Sequence, residues 1–211
     1  MLIYGRAFSF FLSLLIPFFL TRILVKEDYG SYQQLIMIYT IVQAILMFGM
    51  PQSLLYYFPR KETHEHPLLI KQTWTILLFS SLMVMAIFWL SSQIIGTHHL
   101  KEYLVLLGIY TSLMIFVMPI QNLLTLEGKI STAMWLMVFF TIIDLAVLPT
   151  AAWLNPTTLG IVHGIIVAAL LKAIMVLFHV YTTYFTKVIS GNSYIKVQLA
   201  YGIRVGLTAM V

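Results

Sequence analysis

The sequence predicts an all-α fold: a polytopic membrane bundle of six transmembrane helices with the start of a seventh. Three observations predict it. Hydrophobic residues make up 61% of the 211 and charged residues 9%, against roughly 25% charged in soluble domains. Six apolar stretches follow one another, each about 20 residues or longer, as a hydrocarbon core about 30 Å thick requires. Charges and turn formers gather in the breaks between them. A soluble domain of this size buries only about 70% of the surface its unfolded chain exposes, so lipid is the natural solvent for the rest.

The first span covers Leu2–Leu24, too long for the apolar core of a signal peptide and without a small-residue cleavage site. The break Lys26-Glu27-Asp28 leads into a second span, Ser31–Tyr57. The tract from Pro59 to Pro67 separates it from the third, Leu68–Ile95, and Thr97 to Glu102 separates that from the fourth, Tyr103–Leu126. Glu127-Gly128-Lys129 and Asn155-Pro156 bound the fifth, Ile130–Leu154, and the sixth is Leu159–Phe185. This divides the chain into a six-helix lobe over 1–185, a cytoplasmic linker over 186–198, and the start of a seventh helix over 199–211. Pro17, Pro51, Pro119 and Pro149 lie within or near the ends of spans, where membrane helices tolerate kinks.

Basic residues near span ends favour the cytoplasmic side. With the N-terminus inside, Arg6, Arg60, Lys61, Lys71, Lys129, Lys187, Lys196 and Arg204 are inner, whereas Arg22, Lys26 and Lys101 are outer. The expected topology is therefore multi-pass with a cytoplasmic N-terminus. Trp74 and Trp89, and likewise Trp135 and Trp153, are spaced roughly 22 and 27 Å apart along their helices and are expected at the two interfaces.

No enzyme constellation is present in the sequence. Thr63-His64-Glu65-His66 and His98-His99 fall in breaks on opposite sides and are read as solvated histidines. No metal, cofactor or catalytic residue is expected. The scattered basic residues argue against nucleic acid, and the absence of cysteine excludes disulfides.

The informative polar groups are the expensive ones. Asp144 lies near the middle of the fifth span and Lys172 near the middle of the sixth. A lone charge at that depth costs at least about 2.5–3.5 kcal/mol. Counted back from the hairpin at Asn155-Pro156, their depths differ by roughly 5 Å, within side-chain reach. Gly160, Gly164, Ala168 and Lys172 form a small-residue ridge that turns Lys172 inward. Such a pair suits proton coupling or anion recognition, or else serves only as a register lock.

Arg6, Ser9, Ser13, Pro17 and Thr21 form a polar stripe on the first span, with Arg22 beside its outer end. Gln33, Thr40 and Gln43 on the second span, and Thr111, Asn122 and Thr125 on the fourth, form weaker stripes. Ser9, Ser13, Gln43 and Asn122 are the expected polar lining of an interior cavity.

The segment Pro17 to Leu24, ending Thr21-Arg22-Ile23-Leu24, and the following Glu27-Asp28-Tyr29-Gly30-Ser31-Tyr32 resemble the first outer loop of polysaccharide flippases in the MOP superfamily. Gly49 to Pro59 resembles the end of that family's second helix, and Glu127-Gly128-Lys129 its fourth inner loop. The resemblance implies two six-helix lobes around a central cavity in the inner, cytoplasmic membrane, moving lipid-linked oligosaccharide of the polyprenyl-diphosphate type from the cytoplasmic to the outer leaflet by alternating access. It implies cationic residues for the diphosphate, for which Arg6, Arg22 and Lys172 are the candidates here. It also implies a second lobe, membrane lipids, and a polymerase or other assembly protein as partners. Full members have about twelve or more spans, so this chain corresponds to one lobe and the opening of the next, and by itself is not expected to transport. Other readings are a cation-coupled exporter of the same superfamily, with Asp144 as coupling acid, and a non-transporting scaffold for polysaccharide assembly.

Overall fold

The computed structural model describes residues 2–47, 49–94, 98–185 and 194–208. Nine α-helices are described: α1 (Leu2–Ile23), α2 (Lys26–Leu46), α3 (Met50–Tyr57), α4 (His66–Ile94), α5 (His98–Val117), α6 (Pro119–Leu126), α7 (Ile130–Leu154), α8 (Thr158–Val180) and α9 (Ile195–Thr208). A 3₁₀ turn at Phe58–Arg60 prolongs α3, and a π-helical turn at Tyr181–Phe185 prolongs α8. No strand occurs among the described residues.

Five helical segments are long and apolar enough to cross a membrane: Gly5–Ile23, His66–Ile94, Lys101–Leu126, Ile130–Leu154 and Thr158–Phe185. The expected second span is broken. Instead of one helix over Ser31–Tyr57 there are α2 and α3, bent by 43° across the break. Gly49 caps α3 with φ 59°, a left-handed conformation glycine adopts without penalty. Pro51 follows in the first turn, where its missing N–H costs nothing. Pro119 interrupts the fourth span at the first turn of α6, but Met118 before it keeps a right-handed helical conformation, and α5 and α6 stay aligned enough to act as one. Pro17 and Pro149 sit inside α1 and α7, which continue through them. The expected cytoplasmic linker lies largely outside the described residues, and α9 already begins at Ile195 rather than Leu199.

Three buried clusters organise the bundle. At one end, Leu54, Leu69, Leu123, Ala133 and Val180 join α3, α4, α6, α7 and α8. At the other, Leu20, Tyr32, Leu148 and Ile161 join α1, α2, α7 and α8. Tyr39, Leu77, Val84 and Leu107 fill the space between α2, α4 and α5. Polar links tie neighbours where apolar packing against lipid gives no driving force: the Ser80 hydroxyl donates to the Leu46 carbonyl, and Ser112 to the Ser81 carbonyl at 2.9 Å. The outward faces are apolar, with Phe8, Phe11, Phe79 and Phe178 exposed. Trp89, Trp135 and Trp153 also face outward, as interface residues should. Trp74 does not: it is 3% exposed and packs in the core with Leu54 and Leu69, so its position in the span does not make it an interface anchor.

Asp28 ties the start of α2 to the start of α8. Its Oδ1 accepts the Thr158 backbone N–H at 2.9 Å and the Thr158 hydroxyl at 2.5 Å. The carboxylate thus caps the start of α8 from another helix, satisfying a donor that α8 cannot and placing negative charge at its positive end. Thr157 accepts the Gly160 N–H at 3.2 Å alongside. Asp28→Ala is expected to cost about 1–2 kcal/mol, the range of a lost N-cap, whereas Asp28→Asn keeps an acceptor and most of the stability. Thermal unfolding of the purified protein in detergent distinguishes the two.

The start of α9 is clamped to α3 and α4. The Tyr194 hydroxyl donates to the Glu65 carboxylate, its N–H donates to Gln72 Oε1 at 2.8 Å, and Gln198 Nε2 donates to Thr73 Oγ1 at 3.1 Å. Lys61 lies 3.7 Å from Glu65 and 4.0 Å over the Tyr194 ring. Tyr201 stacks on Tyr56 at 4.3 Å. The Tyr194 hydrogen bond, with help from the Lys61 charge, holds Glu65 below the usual carboxylate range. A depressed carboxylate contributes stability above its unfolded pKa, about 4.3, and loses it as pH falls through the folded value. The distance distribution between spin labels on α4 and α9 is therefore expected to broaden as pH falls below the ordinary carboxylate range, and Tyr194→Phe removes much of that dependence.

Candidate functional site

A half-open cavity of about 260 Å³ lies among α1, α2, α5, α7 and α8. α1 supplies Ser13, Ile16 and Pro17; α2 supplies Tyr32 and Ile36; α5 supplies Tyr110. The remaining wall comes from α7 and α8 and carries Asp144 and Lys172. Lys172 Nζ donates to Asp144 Oδ1 at 2.5 Å. Lys172 is 5% exposed despite its charge, so the small-residue ridge does turn it inward.

The ridge explains how the two charges meet. Gly160, Gly164 and Ala168 are buried along the same side of α8. A Cβ on Gly164 would stand 2.7 Å from the Ala151 Cβ of α7, and one on Gly160 would stand 2.1 Å from the Asn155 carbonyl oxygen. Only glycine permits this approach, and the lysine stem then covers the remaining offset in depth. The Asp144 side chain is 31% exposed, open to the hollow, while that of Lys172 is 7% exposed.

The rest of the wall is mixed. Ser13 donates its hydroxyl proton to the Phe10 carbonyl at 2.7 Å, leaving only acceptor capacity for anything beside it. Tyr110 packs on Tyr39 at 4.6 Å between ring centres. Such a hollow can exchange one ion pair for another: a bound anion competes with Asp144 for the ammonium, and a proton or cation competes with Lys172 for the carboxylate.

Of the residues singled out in the sequence, Lys172, Asp144, Ser13 and Pro17 come together on this cavity. Ser9 is buried one turn away on α1, and its hydroxyl has no partner among the described residues. Gln43 is buried on α2, its amide nitrogen likewise without a described partner. Asn122 is half-buried on α6 and does not line the cavity. Arg6 and Arg22 are exposed near opposite ends of α1, and the Arg22 guanidinium lies 4.1 Å over the Phe18 ring. His66 stacks on Phe58 at 3.8 Å and bonds the Lys61 carbonyl at 3.0 Å, an ordinary structural use. The side chains of His98 and His99 lie outside the described residues. Tyr32 and Tyr110 escaped the sequence reading because aromatics at helical spacing look like any core stripe.

A family model described as polysaccharide biosynthesis protein matches residues 19–211. Comparison with curated proteins and with solved structures gives no match.

Proposed function

We infer the function from the premise that the chain belongs to the polysaccharide biosynthesis protein family. On that footing these helices are a lobe of a transporter that moves lipid-linked oligosaccharide across the cytoplasmic membrane. The lobe comprises six spans with the bent α2–α3 pair counted as one, α9 opens the next, and the N-terminus is cytoplasmic. The partner is a second lobe of like architecture, and alternating access is a rocking of one lobe on the other. No bond is made or broken.

The observation that carries this reading is the Asp144–Lys172 pair facing a hollow inside an apolar bundle. Charges so placed mark substrate or ion pathways in membrane proteins. Lys172 is the cation for the substrate diphosphate, and a proton or metal cation arriving at Asp144 frees it to bind. Arg6 and Arg22, near opposite ends of α1, are the sites of electrostatic attraction on the two sides.

The test uses cells lacking the gene. Loss of surface polysaccharide together with accumulation of the lipid-linked oligosaccharide in the cytoplasmic leaflet is the expected result. The full-length protein restores export, and Lys172→Gln does not. Loss of polysaccharide without accumulation of the intermediate makes the protein an assembly scaffold instead. Loss of drug or metabolite efflux with polysaccharide intact makes it an exporter.

A further inference from the structure

A second hollow shares no residue with the first. It is an apolar slot of about 460 Å³ between α4, α5 and α8, walled by Trp74, Thr75, Leu78, Phe116, Leu177 and Phe185 among others. That size falls within the roughly 300–1,000 Å³ of small-molecule pockets.

Its depth profile is that of an amphiphile. Lys71 lies five residues into α4, roughly 7.5 Å from its start, and Leu78 roughly 18 Å from it. The slot therefore runs from the headgroup layer to about the middle of a hydrocarbon core about 30 Å thick. Phe185 stands at the shallow end, and Lys71 Nζ lies 5.4 Å from its ring centre. The mouth thus carries a cation and the interior carries none. The wall on the α8 side is the π-helical turn, where Tyr181 stacks on Phe185 at 6.4 Å, a wide turn of the kind often found at functional sites.

Trp74 narrows the choice of ligand. Its indole is buried, and its N–H has no acceptor among the described residues, a rare condition for a buried donor. It lies three residues below Lys71 on the same helix, about 4.5 Å deeper. A ligand with an anionic group at Lys71, a carbonyl just beneath it and an aliphatic chain below that complements both Lys71 and the Trp74 N–H. A polyprenyl phosphate has the anion and the chain but no carbonyl.

We propose that this slot is a binding site for one acyl chain of an anionic glycerophospholipid, its phosphate against Lys71 and its ester carbonyl on the Trp74 N–H. The site is independent of the cavity at Asp144 and stands whether or not the transport reading does.

The test is Trp74 fluorescence in the full chain carrying Trp89→Phe, Trp135→Phe and Trp153→Phe, all outward-facing positions. Acyl-brominated phosphatidylglycerol in phosphatidylcholine vesicles is expected to quench Trp74 at a mole fraction roughly fivefold lower than acyl-brominated phosphatidylcholine, the effect of one basic residue near an anionic surface. Lys71→Gln removes that preference and Lys71→Arg keeps it. Equal quenching by both lipids, or a preference that survives Lys71→Gln, overturns the proposal. Displacement of the brominated lipid by a polyprenyl phosphate at lower mole fraction than by unbrominated phosphatidylglycerol also overturns it, by reassigning the slot to a substrate tail. Should the triple variant fail to insert, native mass spectrometry of the otherwise unaltered protein decides: phosphatidylglycerol retained by the parent and lost in Lys71→Gln supports the site, and no difference sinks it.

Discussion

Replacing Lys172 by Ala is expected to destabilise the purified protein by about 3 kcal/mol, the low end of what removing one partner of a buried pair costs. The low end applies because the Asp144 side chain is 31% exposed to the cavity and retains some hydration. Most of the loss is the penalty on the carboxylate left behind, so the pair removed together behaves differently from either residue removed singly. Asp144→Asn with Lys172→Met is expected to recover most of the stability, since it buries no uncompensated charge. Thermal unfolding in detergent reads the first comparison, and surface polysaccharide in complemented cells reads the second. A double variant that is stable but inactive assigns the pair to transport. One that is stable and active leaves the pair as a register lock, as does a functional charge swap.

The second large effect is expected at Gly164. Leu there must place its Cβ where the Ala151 Cβ already stands, 2.7 Å away, and neither atom is the free end of a flexible chain. Overpacking of this sort costs about 1–3 kcal/mol, at times more. The strain is relieved by separating α7 from α8, which lengthens the Lys172–Asp144 contact, so Gly164→Leu is expected to lose both stability and export. Gly30→Ala is the matched control. A Cβ at Gly30 meets nothing within 4 Å, and within α2 it is expected to gain about 0.5–1 kcal/mol. Parallel unfolding curves of the two variants in one detergent check the contrast; equal curves would remove the close-packing account.

Much of the helix pattern was legible in the sequence because lipid imposes a length on every span. The fifth span matches α7 at both ends, Ile130 and Leu154. The pairing of Asp144 with Lys172 was legible for a related reason: a short hairpin fixes relative depth, and four-residue spacing of small residues fixes the face. What stayed hidden depends on three-dimensional neighbours. Nothing near Asp28 in the chain announces that it caps a helix 130 residues later. Trp74 reads as an interface residue by position, yet the fold surrounds it. The second span reads as continuous because hydropathy does not register a backbone that turns left-handed at Gly49. Tyr32 and Tyr110 join one cavity only because α2 and α5 both pack against α8.

α1 lies along α7, and its shared cluster with α2 is confined to the end where the two connect. Its large side chains otherwise point away, with Phe10 and Phe11 more than half exposed. Consequently α1 has its main partner far along the chain. Between Ile23 and Ile130 a further 107 residues must be synthesised (130 − 23), which takes roughly 5–20 s at ordinary translation rates. During that interval α1 waits in the bilayer as a nearly solitary rod, held by the acyl chains around its phenylalanines. Its greasy exterior therefore serves biogenesis as well as the finished molecule, and its seat on α7 closes only once α7 has entered the bilayer.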